Sequence, residues 1–109
     1  LNVEELMARL GGSRDVLAAM IPIIAQSAAA WEAEMNAALA ANDAKRLRRA
    51  AHQAKGALAT LAAPRAAQAA KVLEDFAHTG DLAAARTAMA ALKEETASAH
   101  SAVAALLQE

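Results

Sequence analysis

Cysteine is absent from the 109-residue chain, so no disulfide, thiolate metal site or thiol nucleophile can be built from it. Tyrosine is absent as well, and Trp31 and Phe76 are the only aromatic residues. With little that prefers a strand, and only four glycines and two prolines to interrupt a helix, the alanine- and leucine-rich composition points to an all-α chain. Neither sign of charge dominates. Eleven basic and twelve acidic residues give a formal net charge of −1, too weak a field to imply binding to nucleic acid or to an anionic membrane. The most apolar run, "VLAAMIPIIAQSAAAW" (16–31), is broken by Pro22, Gln26 and Ser27 and falls short of the roughly 20 residues of a membrane span. A soluble, cytoplasmic domain without membrane contact is therefore expected. No basic segment precedes an apolar one at the N-terminus, and a start at Leu1 is compatible with excision from a longer protein.

The length suits one core and one domain, 1–109. "VEELMARL" reads as a short amphipathic helix over about 3–10, stopped by Gly11 and Gly12. Ser13 then caps a long helix over about 14–41, whose apolar stripe runs through Leu17, Met20, Ile24, Trp31, Met35 and Leu39 and which Pro22 is expected to kink. Asn42 or Asp43 opens the next helix, about 43–62. Pro64 suits the first position of a helix over about 64–79, which carries Ala69, Val72, Leu73 and Phe76 toward the core and stops at Gly80. Asp81 caps the last and most regular helix, about 81–107. Leu82, Ala85, Met89, Leu92, Thr96, Ala99, Val103 and Leu106 repeat along it at spacings of three and four. Four long amphipathic segments with short connections predict an antiparallel up-down-up-down four-helix bundle preceded by a short extra N-terminal helix.

The third segment holds the chemistry. In "RRAAHQAKGALATL" (48–61), the core stripe is Leu47, Ala51, Ala54, Leu58 and Leu61. Measured from that stripe at about 100° per residue, His52 lies near 140°, Lys45 near 160°, Gly56 near 180° and Arg49 near 200°. Ala59, Arg48 and Lys55 fall near 120°, 100° and 80° on the same scale. The imidazole thus faces solvent, beside two small residues that lower the surface and among cations that suit a dianionic group. Gly56 sits one turn from His52 on this face, where a larger side chain would obstruct a partner that must reach the ring nitrogen.

These residues resemble the histidine-containing phosphotransfer (HPt) domains of bacterial multistep phosphorelays. "AAHQAKGALATLAAPRAAQAAKVLEDFA" (50–77) follows the family's His-x-x-Lys-Gly pattern through His52, Lys55 and Gly56, and its later Leu-Glu through Leu73 and Glu74. The resemblance implies that His52 accepts a phosphoryl group from the aspartyl phosphate of one receiver domain and yields it to the aspartate of another. Those receivers belong to a hybrid histidine kinase, a response regulator or both. Lys55 would contact the phosphoryl oxygens and Gly56 would give clearance for docking. Lys45, Arg48, Arg49, Gln53 and Ala59 would meet the receiver. Such a domain is a phosphoryl carrier and not by itself an enzyme, although it can form part of a hybrid kinase. It needs no cofactor of its own, the Mg²⁺ of the reaction being expected in the receiver. The chain departs from the family at Ala62, where glycine is common after the leucine closing the third helix. A turn tighter, longer or more helical than usual is expected there.

Three other readings compete. A chemotaxis-type kinase carries a similar domain phosphorylated by an ATP-binding domain of the same protein. "KRLRR" (45–49) could track nucleic-acid phosphates, yet stacking aromatics are missing beside it. A purely structural bundle would leave Gly56 unexplained. His78, in the last turn of its helix, and His100, with no lysine or glycine after it at comparable spacing, read as ordinary surface residues. No ligand spacing for a metal occurs. Gly56→Ala is expected to raise stability by up to about 1 kcal/mol, glycine being the poorer helix former at an exposed interior position. Chemical denaturation of both proteins checks this, and a loss of stability would place Gly56 in a packed environment.

Overall fold

The computed structural model describes residues 2–108, which form five helices and no strand. They are α1 (Val3–Arg9), α2 (Arg14–Ala40), α3 (Ala44–Thr60), α4 (Pro64–Thr79) and α5 (Leu82–Leu107). The packed pairs are α2 with α3, α3 with α4, α4 with α5, and α2 with α5, so the four long helices close a ring. The particle is a rod of 43 × 19 × 18 Å.

Four of the five helices begin where a side chain satisfies an orphan N–H. Asn2, Ser13, Asp43 and Asp81 accept from the backbone N–H of Glu5, Val16, Arg46 and Ala84, respectively. α4 has no side-chain cap but starts on Pro64, which lacks the N–H that would need one. Pro22 lies inside α2, which remains helical through it.

The first four helices end in the same way. At each C-terminus one residue turns left-handed and two backbone bonds close the last turn, the Schellman arrangement. Gly11, Asn42, Ala62 and Gly80 have φ of 67°, 52°, 55° and 79°. In the third of these, Ala62 N–H donates to Ala59 O at 3.1 Å and Ala63 N–H to Leu58 O at 3.0 Å. The departure at Ala62 therefore does not alter the turn as expected. Alanine adopts the conformation glycine would have taken, and its carbonyl accepts from Asn2 N–H at 2.6 Å.

Alanine fills much of the core. Leu47, Ala50, Ala51, Ala54 and Leu58 are buried on α3, facing Ala66, Ala70, Leu73 and Ala77 on α4. α2 adds Met35, Ala38 and Leu39, and α5 adds Ala85, Ala88, Met89 and Leu92. A smaller cluster at one end joins Leu6, Leu17, Ala62 and Val103. Two expectations need correction. Val72 does not enter the core and remains 37% exposed, because the face of α4 turned inward is the alanine row with Leu73; Ala69 and Phe76 pack at its margin. Leu61 is only half-buried, being the C-cap of α3, while Ala50 takes a buried place not assigned to it. Met20, Ile24 and Trp31 are likewise half-buried, and Ile23 on the same helix is 62% exposed. By length and composition alone α2 could cross a membrane. Its apolar N-terminal part is mostly exposed or half-buried, while its C-terminal half supplies Met35, Ala38 and Leu39 to the shared core.

Polar ties hold the helices in register. Arg46 on α3 grips Glu34 on α2 with both Nε and Nη2, Arg65 on α4 reaches Glu95 on α5 at 3.0 Å, and Arg86 on α5 donates to Leu39 O at 3.0 Å. The strain at Ala62 gives a test. A left-handed alanine costs about 1–2 kcal/mol, enough to offset both a lost buried methyl, about 0.8 kcal/mol, and glycine's greater freedom when unfolded. Ala62→Gly should therefore be nearly neutral, whereas Ala54→Gly, equally buried but helical, should cost about 2 kcal/mol. Urea denaturation measures both, and equal losses would mean that Ala62 carries no strain.

Candidate functional site

His52 lies near the middle of α3, on the side turned away from Leu47, Ala51, Ala54 and Leu58, and its side chain is 66% exposed. The ring is nevertheless anchored. Because alanines line the α3–α4 contact, the two helices approach closely enough for Glu74, next to the buried Leu73, to reach across. Its Oε1 stands 3.1 Å from His52 Nδ1, and its Oε2 stands 2.9 Å from Lys55 Nζ. The three groups form one bridge, with the carboxylate 16% exposed in its centre.

Burial alone would raise the Glu74 carboxyl, but the contacts with Lys55 and then His52 outweigh it and hold the pKa below the ordinary carboxylate value. Glu74 is thus ionised at neutral pH and can only accept. Its Oε2 is buried and receives no hydrogen bond of good angle, so what compensates it is the charge of the Lys55 ammonium. A neutral His52 consequently keeps its proton on Nδ1, facing Glu74. The lone pair is left on Nε2.

Around this centre the expected residues divide. Lys45, Arg48, Arg49, Gln53 and Ala59 are all exposed on α3. No ion pair engages the three cations among the described residues, although Arg49 contributes to the field that, with the Arg46 contact, lowers Glu34. Lys55 is half-buried and turned to Glu74. Gly56 is exposed, and a Cβ there would meet nothing within 4 Å, so the packing of this chain gives no reason for glycine. His78 and His100 lie apart and are exposed, the first at the end of α4, the second on the rim of a cavity between α2 and α5. Sequence reasoning left Glu74 without a role. The signal was present in the Leu-Glu pair, since a carboxylate beside the core-facing Leu73 must emerge at the edge of the α3–α4 contact.

Residues 19–102 match the family model described as the Hpt domain. The chain belongs to the Hpt domain family. Hpt domains are the histidine phosphotransfer modules of phosphorelays, and the matched region contains all of α3 and α4 and most of α2 and α5. No curated protein and no solved structure is significantly similar to this Hpt domain.

Glu74 couples the site to pH. Its pKa is lower folded than unfolded, so it contributes stability that is present above the ordinary carboxylate pKa and is lost as the pH falls through the folded value. Glu74→Gln should be less stable at neutral pH and lose less stability over that acidic interval. Denaturation curves at a series of pH values check this, with the lowered Glu34 common to both proteins; parallel profiles would refute it.

Proposed function

We propose that His52 is the phosphoryl carrier of this Hpt domain, taking the group from the aspartyl phosphate of one receiver domain and delivering it to the aspartate of a second. The observation that supports this most directly is the bridge from Glu74, which orients the imidazole with Nε2 outward. In the forward step the Nε2 lone pair attacks phosphorus, the N–P bond forms as the acyl P–O bond breaks, and the receiver's aspartate leaves as a carboxylate. No proton has to leave the ring. Nδ1 keeps its hydrogen, and the positive charge that develops on the imidazole is balanced by Glu74.

Glu74 also serves the return step. By favouring the protonated Nδ1, it keeps the ring a good leaving group when a second aspartate attacks. Lys55 can turn on its flexible stem from Glu74 Oε2 to a phosphoryl oxygen, as a mobile point charge. Lys45, Arg48 and Arg49 would draw the acidic rim of the receiver, which brings the Mg²⁺ that transfer requires. The four long helices, joined by connections of two or three residues, support reading this scaffold as an antiparallel bundle.

His52→Gln should keep the helical circular dichroism and lose all acid-labile phosphorylation, since an exposed polar replacement removes the nucleophile and little else. His78→Gln and His100→Gln should both remain labelled. Labelled phosphate from a phosphorylated receiver provides the measurement. Persistent acid-labile label in His52→Gln would refute the assignment.

A further inference from the structure

Between Leu17 and Met35 no residue of α2 is buried, although this stretch holds most of the longest apolar run in the chain. Its inner side borders an open seam. Two hollows follow one another where α2 meets α5, the first of about 390 Å³ between Ile21 and Glu32 of α2 and Lys93 and Val103 of α5. The second, of about 380 Å³, lies between Asn36 and Ala40 of α2 and Arg86 and Lys93 of α5. Lys93 lines both. The first hollow is enclosed by Ile21, Ile24, Trp31, Leu58 and Val103, and the alanines at 25, 28 and 29 of α2 and at 97 and 99 of α5 are what leave its space unfilled. The second is basic. Arg86 and Lys93, one heptad apart and so on one stripe of α5, stand over Leu39 and Met89.

From Ile21 to Glu32 the first hollow runs for about 16 Å along the helix axis, so its volume corresponds to a mean section of about 24 Å². A helix with side chains is about 10–12 Å across. A partner helix or a second copy can therefore lie over the seam but not enter it, whereas one extended hydrocarbon chain fits. We infer that the α2–α5 seam binds a single-chain fatty acid, its tail in the first hollow and its carboxylate at Lys93, with Arg86 beside it in the second. The charges favour that head. Among the described residues no carboxylate pairs with Lys93 or Arg86, and the guanidinium donates to the neutral Leu39 O at 3.0 Å. Glu32, on the rim of the first hollow, disfavours an anion there and sets the carboxylate on the Arg86 side of Lys93. His100 stands about 10 Å from Lys93 along α5, beside the tail. Leu58, the wall on α3, belongs to the face turned away from His52, so an occupied seam leaves the imidazole open.

Trp31 lines the tail site and is the only tryptophan, so its emission reports occupancy. Potassium laurate, titrated into the parent chain below its micellar concentration, should shift that emission to the blue and saturate at one molecule per chain by calorimetry. Octanoate, four methylenes shorter, should bind about a hundredfold more weakly, because each methylene withdrawn from the hollow forfeits its transfer energy. Dodecyltrimethylammonium has laurate's chain length and a cationic head. The parent should prefer laurate to it, and Lys93→Glu, an exposed change, should reverse the preference. Ala28→Leu fills the hollow and should weaken laurate about tenfold. Circular dichroism establishes which variants fold, and Lys93→Glu decides the matter by itself if Ala28→Leu does not. The absence of a saturable Trp31 response would overturn the inference, as would laurate affinity unchanged in the folded variants. Equal affinity of the parent for laurate and dodecyltrimethylammonium would overturn it too, by revealing detergent-like adsorption. Sedimentation of the ligand-free chain supplies the last arm. Dimerisation that laurate does not disperse and Ala28→Leu abolishes would give the seam to a second copy.

Discussion

The distance between α3 and α4 governs the rest. Alanine is buried at 50, 51 and 54 on α3 and at 66, 70 and 77 on α4, and the large side chains these two packed helices bury are Leu47, Leu58 and Leu73. Close approach has two consequences. It builds a dense core from small residues, and it brings a carboxylate of one helix within 3.1 Å of an imidazole of the other. A larger residue in the alanine row would separate the helices, and the contact between Glu74 and His52 would be the first to go, since it has no slack beyond hydrogen-bond length.

From that contact follows a division of labour on one face. Glu74 is mostly buried and ionised, His52 is mostly exposed, and Lys55 lies between them. The role proposed for His52 needs freedom on one side of the ring and constraint on the other. The imidazole has both, because its anchored nitrogen points at the neighbouring helix and its free nitrogen away from it. Gly56 continues the open side, as a position where this chain itself makes no use of the missing Cβ.

Much of this could be read from the amino-acid order. Helix starts at Ser13, Asp43, Pro64 and Asp81 and the stop at Gly80 rest on local chemistry, and they stand where that chemistry puts them. The exposed place of His52 followed from counting 100° steps along a helix. What periodicity could not supply was the rotation of α4. Ala69, Val72 and Phe76 are larger or as apolar as the alanines actually buried, so hydrophobicity alone favours the wrong edge of the helix, and only the closeness of α3 turns the alanine row inward. Glu74 escaped for the same reason, its role depending on a neighbour in space 22 residues away. Ala62 shows a different limit. Its residue type argued for an altered turn, and the hydrogen bonds of the connection prevailed over its conformational preference.

Arg9 carries a consequence of another kind. From the last turn of α1 its guanidinium donates to the carbonyls of Ala59 and Thr60 at the end of α3, the first of which also accepts from the closing turn, and it is steadied by Glu5. Leu6, one turn earlier, closes the small cluster with Leu17, Ala62 and Val103. Yet the family match begins at residue 19, beyond all of α1. The stretch that matches the family and the unit that folds thus have different edges. A boundary drawn at that match would cut away the buttress of the helix on which His52 stands, taking the guanidinium from Thr60 O and leaving Ala59 O with its backbone donors alone.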